Sequence, residues 1–169
     1  NALLFGRLIK QYRDDSVRQY IGFDTFAGYS GRDLDRDQHL SADAWKTCSK
    51  EEVISRCEAS GIDDLVELIQ GDAIETIPTT LSSHKGIRFQ AGKARFALLY
   101  IDCNAYEPAL SAMENFLPFM MPDSIIAIDE KLQGGESEAI VAFAERHELK
   151  VRRGGHNEVP MLIEVPGYH

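Results

Sequence analysis

The sequence predicts an α/β fold: a doubly wound, mostly parallel sheet with helices on both faces, closed by a C-terminal antiparallel hairpin. Three observations predict it. Short runs rich in β-branched and aromatic residues alternate with segments whose apolar residues recur at helical spacing. Parallel neighbours need crossover connections, and the intervening helical segments supply them. Four of the strand-like runs end in an acid or a glycine–acid pair, at Asp24, Gly71-Asp72, Asp102 and Asp129-Glu130. Ligands of such sheets bind beyond the carboxyl ends of the strands, so acids placed there point to one shared site.

The elements follow in order. Leu4, Leu8, Ile9 and Tyr12 recur at helical spacing, so the chain opens inside a helix. Val17 to Phe23 (VRQYIGF) reads as a buried strand that delivers Asp24 to a loop. That loop, from Ala27 to Asp43, is polar, glycine-bearing and longer than ordinary connections, which favours a functional or mobile segment. Ser49 followed three residues on by Glu52 is a capping box, and Val53, Ile54 and Cys57 give that helix its apolar face before Gly61 ends it. Leu65 to Ile69 is a second strand. Gly71-Asp72 breaks it into a helix carrying Ile74 and Ile77, with Asp72 and Glu75 spaced as another capping box. Arg95 to Ile101 (RFALLYI) is the most continuous apolar run, as a strand covered on both faces requires, and it ends at Asp102. Tyr106, Leu110, Met113, Leu117 and Met120 continue at helical spacing until Pro122-Asp123 ends the helix. Ser124 to Ile128 is a further buried strand, Ile140 to Ala144 marks the last helix, and Lys150 to Arg153 with Met161 to Val165 are close enough to pair as a hairpin.

With 169 residues and 44% hydrophobic content, the chain suits a single domain spanning 1–169. No stretch approaches the roughly 18 apolar residues a membrane helix needs, and the opening NALLFGRLIKQYRDD lacks a basic region followed by a cleavage site, so a soluble protein is expected. A net charge of −9 repels phosphate backbones, which disfavours nucleic acid and favours small neutral or cationic partners. Cys48, Cys57 and Cys103 lack metal-ligand spacing, and no histidine is close in sequence to Cys103, so they read as structural thiols in a reducing, cytoplasmic setting.

The strand-end acids suggest distinct chemical roles. A carboxylate such as Asp24, followed by Thr25, can accept hydrogen bonds from both hydroxyls of a ribose. Asp72 and Ala73 begin a helix, where a side chain can accept from an adenine amino group; the alternative for Asp72 is a plain helix cap. Asp102, Asp129 and Glu130 come from adjacent strand ends and offer hard oxygen ligands suited to Mg²⁺, whose charge would relieve their mutual repulsion. His39, beside Asp37 in the long loop, has the right basicity to deprotonate an acceptor hydroxyl. Tyr29 and Trp45 flank the same loop and suit either stacking on a substrate ring or anchoring the loop to the core. His84, His147, His156 and His169 read as solvated or capping residues, and Met113, Met120 and Met121 as core filling.

The stretches YIGFDTFAGYSG, GDAIETIP, ALLYIDCNAYEPALSAMENFLPFMMPDSIIAIDE and GGESEAIVAFAE resemble the macrocin O-methyltransferase family, also called TylF-like, over nearly the whole chain. The resemblance implies a Rossmann-like, class I S-adenosylmethionine-dependent methyltransferase, similar in fold to the catechol O-methyltransferase type. Such enzymes use a divalent metal to methylate hydroxyls of sugars or related natural products. By that resemblance Asp24 contacts the ribose, Asp72 and Ala73 the adenine, and Asp102, Asp129 and Glu130 the metal. Three departures stand out. The glycine-rich strand and loop that precede the opening helix in the family are not in this sequence, so an N-terminally truncated domain is expected. Asn104 stands at the catalytic position where the family carries a second aspartate, and asparagine cannot serve as a general base. Asp129-Glu130-Lys131 replaces two aspartates and an aromatic residue, and Lys131 offers those acids an alternative counter-charge.

Two other classes compete. A nicotinamide (NAD)-dependent oxidoreductase would also place an acid such as Asp24 on a ribose, although hydride transfer needs no acid cluster. A non-catalytic Rossmann-like binding or assembly domain, a homo-oligomer among them, is compatible with Asn104 and the departures around it.

Overall fold

The computed structural model describes residues 1–12, 18–46, 48–82, 95–129, 134–156 and 159–167. The chain opens with helix α1 (Ala2–Gln11), followed by strand β1 (Tyr20–Asp24) and the short helix α2 (Gly31–Arg36). Helix α3 (Lys50–Ala59) leads into β2 (Val66–Gln70) and α4 (Ala73–Ser82). Strand β3 (Phe96–Ile101), helix α5 (Tyr106–Phe116), strand β4 (Met120–Ile128) and helix α6 (Gly135–Arg146) continue the alternation, and β5 (Val151–His156) with β6 (Val159–Glu164) closes it. The α/β architecture and the terminal hairpin are those the sequence predicts.

Strands β1 and β2 pair in parallel, and a second ladder runs in the order β3-β4-β6-β5, parallel between β3 and β4 and antiparallel thereafter. Among the described residues no ladder joins β1 to β3. The two sheets meet through side chains instead: Phe5 of α1 stacks on Tyr20 of β1 at 5.8 Å and meets Tyr100 of β3 edge-on at 5.3 Å. One face of the larger sheet, with Ile101, Ile126, Ile128 and Ile163, packs under α4, α5 and α6 through Ile77, Met113, Phe116, Ile140 and Phe143. On the opposite face the register partners Leu98 and Ile125 are exposed.

Several local readings are corrected. The stripe of Leu4, Leu8 and Tyr12 faces solvent, while α1 seats itself by Ala2 and Gly6; a Cβ on Gly6 would fall 2.7 Å from the Ile62 side chain, so the close approach selects the buried face. Pro122-Asp123 does not end a helix: α5 stops at Phe116, and the pair lies within β4, where the register with β3 shifts between Phe96 and Leu98. A proline is tolerated in a strand at such an irregularity because no ladder bond is asked of it. Met121 is exposed, whereas Met113 and Met120 fill the core. The long polar loop contains α2, started by a complete capping box between Ser30 and Asp33.

Candidate functional site

Ile101 and Ile128 are register partners, so Asp102 and Asp129 leave adjacent parallel strands at the same end, and the Asp129 N–H donates to the Ile101 carbonyl at 3.2 Å. Two half-buried phenols draw Asp24 into the same crevice. The Tyr20 ring runs along β1 over Gly22, where a Cβ would lie 2.9 Å from the ring and 3.1 Å from the hydroxyl. Burial, then the negative charges of Asp24 and Asp102, push that phenol up to about 12. The Tyr100 hydroxyl lies beside Asp129; burial first, then Asp129, Asp102 and Glu136, hold it well above the ordinary tyrosine range. Asp24, Asp102 and Asp129 are themselves exposed, so their carboxylates are open to a ligand.

Each predicted site residue has a defined place. Asp24 Oδ1 accepts from the Phe26 N–H at 2.7 Å, and the Thr25 hydroxyl donates to the Gly28 carbonyl at 2.6 Å while accepting from Ala27, which fixes the turn after β1. Asp72 caps α4, its Oδ1 accepting from Ile74 N–H at 2.9 Å, and its other oxygen faces Arg32 at 3.6 Å. Ala73 is the first residue of that helix. The cap bond thus reaches Ile74, not Glu75 as a capping box would have it. Asp102 Oδ2 accepts from the Asn1 side chain at 2.8 Å. Asn104 is half-buried with a left-handed backbone, φ 56°. His39 is exposed, and its neighbour Asp37 is committed elsewhere. Glu130, Lys131, His84 and His169 lie outside the described residues. Among the described residues, no group of three or more His, Cys, Asp or Glu is arranged to hold a metal ion.

Residues that sequence reasoning missed hold the turn after β3. Glu136, fully buried in the first turn of α6, accepts from the backbone N–H of both Cys103 and Asn104 through Oε1, the latter at 2.6 Å. Its Oε2 is buried with no hydrogen-bond partner among the described residues. Burial raises the carboxyl, and the two N–H donors pull it partly back. Asp37, also buried, accepts from the Tyr106 N–H at 2.9 Å and pairs with Arg36, whose guanidinium lies 4.0 Å over the Tyr106 ring and reaches Glu138. Gly135 permits this approach, since a Cβ there would stand 2.8 Å from both Asp37 oxygens. The doubled glycine before Glu136 was the available signal: it marks a close backbone approach.

A family profile described as a methyltransferase domain matches residues 2–130. The chain belongs to that methyltransferase-domain family. Among solved structures, the chain resembles the apo form of CalS11, described as a TDP-rhamnose 3′-O-methyltransferase of calicheamicin biosynthesis, at 25% identity and TM-score 0.65, covering 95% of this chain and 64% of that one. It resembles the O-methyltransferase NovP at 17% identity and TM-score 0.72, covering 98% and 66%. It also resembles TomG from Streptomyces achromogenes, in complex with SAM, at 20% identity and TM-score 0.56, covering 97% and 78%. The chain therefore spans slightly less than two thirds of the length of the first two. No curated protein matches its sequence. No helix among the described residues is long and apolar enough to cross a membrane.

For a methyltransferase domain, the chemistry of the donor set is what matters. Asp24 offers a carboxylate at a strand end, the group that accepts from two vicinal hydroxyls of a ribose. Asp102 and Asp129 concentrate negative charge on neighbouring strand ends, which adds to burial in keeping the Tyr100 phenol from ionising. Mg²⁺ is commonly held by only one or two carboxylates with waters completing its shell, so two such groups fit it.

Proposed function

We propose that this domain is the core of an S-adenosylmethionine-dependent O-methyltransferase of the macrocin (TylF-like) type, acting on a hydroxyl of a sugar or glycosylated natural product. The observation that carries the reading is the gathering of Asp24, Asp102 and Asp129 around the Tyr20 and Tyr100 hydroxyls at the carboxyl ends of parallel strands. The sugar acceptor is supported by relatives such as the TDP-rhamnose 3′-O-methyltransferase.

In this reading Asp24 holds the ribose, Ala73 and the Asp72 cap line the adenine side, and Asp102 and Asp129, joined by Glu130, hold a divalent cation. S-adenosylmethionine supplies the methyl group, and the cation supplies the positive charge that eases loss of the acceptor's hydroxyl proton. The chain's own residues do the positioning. The Glu136 and Asp37 carboxylates fix the turn bearing Asp102, so that little reorganisation is left for the reacting geometry.

Calorimetry with S-adenosylhomocysteine, NAD and Mg²⁺ tests this. Asp24→Ala is expected to weaken S-adenosylhomocysteine binding about tenfold or more, the loss of a charge-assisted pair of hydrogen bonds. Asp102→Asn with Asp129→Asn is expected to abolish Mg²⁺-dependent transfer while circular dichroism stays unchanged. Binding of NAD without S-adenosylhomocysteine would replace the reading with an oxidoreductase, and binding of neither would leave an assembly domain. Full transfer activity in chelator would remove the cation from it.

A further inference from the structure

Glu136 is wholly buried, and its carboxylate meets the turn after β3 at close range. Oε1 takes the N–H of Cys103 and, at 2.6 Å, that of Asn104. The Cys103 nitrogen belongs to the peptide unit that follows Asp102, so a buried carboxylate lies one peptide group behind an acid that is exposed on the crevice. Oε2 is unpartnered among the described residues. Arg36, on the segment packed nearby, is spent on Asp37 and Glu138, and among the described residues no ion pair reaches Glu136. What favours the ionised form is backbone: the two N–H groups of the turn, and the N-terminal end of α6, in whose first turn Glu136 sits.

Holding the turn needs an acceptor, not a charge. A glutamine of the same shape would accept from the same donors without the cost of burying an uncompensated anion. The charge is therefore left to be explained, and the crevice in front of it already gathers Asp24, Asp102 and Asp129. Glu136 adds to their field, since its charge is among those that keep the Tyr100 phenol protonated.

We propose that Glu136 supplies a fixed, water-shielded negative charge behind the Asp102 turn, which makes the crevice bind the positively charged sulfonium cofactor in preference to its neutral thioether product. The inference rests on the methyl-transfer reading and adds discrimination between cofactor and product to it. In the transfer the acceptor oxygen forms a bond to the methyl carbon, the C–S electron pair returns to sulfur, and the hydroxyl proton passes to water. Sulfur thereby loses its charge. Around exposed acids such as Asp102 and Asp129, water and salt screen much of the attraction, whereas a charge inside the protein keeps its reach. Product is then held less tightly than fresh cofactor and exchanges for it. Being wholly buried, Glu136 touches neither ligand, so it is a positioning residue that acts through the turn and through its field.

The test compares two ligands by calorimetry on the intact protein, above neutral pH and in chelator so that no metal contributes. Sinefungin carries an ammonium group where the cofactor carries its sulfonium; S-adenosylhomocysteine is neutral there. Wild type should prefer sinefungin by about fivefold or more. Glu136→Gln, which keeps the acceptor and removes the charge, should lose most of that preference through weaker sinefungin binding, with S-adenosylhomocysteine affinity within about twofold. Glu145→Gln, which removes an exposed charge from the same helix, should leave both affinities unchanged. Equal binding of the two ligands by wild type would overturn the proposal before any variant is made. A preference that survives in Glu136→Gln would do the same, as would a loss shared equally by both ligands, which is what a residue that only holds the turn would give. S-adenosylhomocysteine bound without any charge preference removes this inference alone, whereas binding of neither ligand removes the methyl-transfer reading and this inference with it.

Discussion

Glu136 buries a carboxylate where an apolar side chain would ordinarily go, and both of its oxygens matter. Oε1 satisfies two backbone N–H groups that the left-handed turn at Asn104 leaves without secondary-structure partners, while Oε2 has no hydrogen-bond partner among the described residues. Burial raises its pKa above the ordinary value of 4.5, the two donors opposing that shift. The unfolded chain therefore ionises first. The stabilisation is complete below about pH 4.5 and is lost as pH rises through the higher folded-state pKa. Glu136→Gln keeps an acceptor for the turn and cannot ionise, so its stability should gain on the wild type as pH rises from about 4.5 through the raised folded-state pKa and then run parallel to it. Denaturant melts of both proteins across that range check this; curves parallel throughout would show that folding leaves the carboxyl's pKa unshifted. The doubled glycine marks a close backbone approach but does not single out Glu136 over Glu138, which is exposed, because the difference arises only when α6 meets the turn after β3. Asp24, Asp102 and Asp129 were legible for the opposite reason. Each ends a strand whose apolar run is written in consecutive residues, so local pattern alone delivers them to one edge.

Helix α5 begins at a residue that cannot cap it. Ala105 has no side-chain acceptor, and the first N–H of the helix is taken instead by Asp37, from the segment just after α2. That carboxylate also favours the positive end of the helix dipole, and Arg36 anchors the arrangement through Asp37, Glu138 and the Tyr106 ring. A segment that reads as a long, mobile polar loop is therefore tied to the site by a buried acid. Its length was visible in the sequence, but its anchorage was not, since the partner lies 69 residues away. Asp37→Ala should cost about 2–3 kcal/mol, more than an exposed cap, because it strands a buried N–H and removes the buried one of Arg36's two carboxylate partners, Asp37 and Glu138. Asp37→Asn, which retains an acceptor, should cost about half as much. Thermal melts give both numbers, and equal losses would mean that charge rather than capping is what Asp37 supplies. Similar limits explain Pro122-Asp123. A Pro-Asp pair is a fair helix stop by local chemistry, and only the shifted register between β3 and β4 makes room for it inside a strand.

At the scale of the whole molecule, the crevice lies between two sheets that share no backbone ladder among the described residues. Its width is set by what bridges them beneath, chiefly the Phe5 ring between Tyr20 and Tyr100, with the Phe23 and Phe116 rings meeting at 6.0 Å deeper in the core. The same two tyrosines carry the hydroxyls that lie among Asp24, Asp102 and Asp129, so the bridge and the site are one structure seen from two sides. Shortening Phe5 to alanine removes both ring contacts without touching an acid. The half-buried ring should cost on the order of 1–3 kcal/mol, less than a fully buried phenylalanine. The loss should also be uneven. The two-stranded sheet rests on α1, α3 and α4, whereas β3, β4, β5 and β6 keep the core under α5 and α6. Hydrogen exchange of Phe5→Ala should therefore show β1 and β2 amides opening well before those of β4 and β6, where the wild type protects the two groups more nearly alike. S-adenosylhomocysteine, which in the proposed reading touches acids on both sheets, should close that difference again. Uniform loss of protection across all the strands would show instead that the two sheets unfold as a single unit, with Phe5 as one core residue among many.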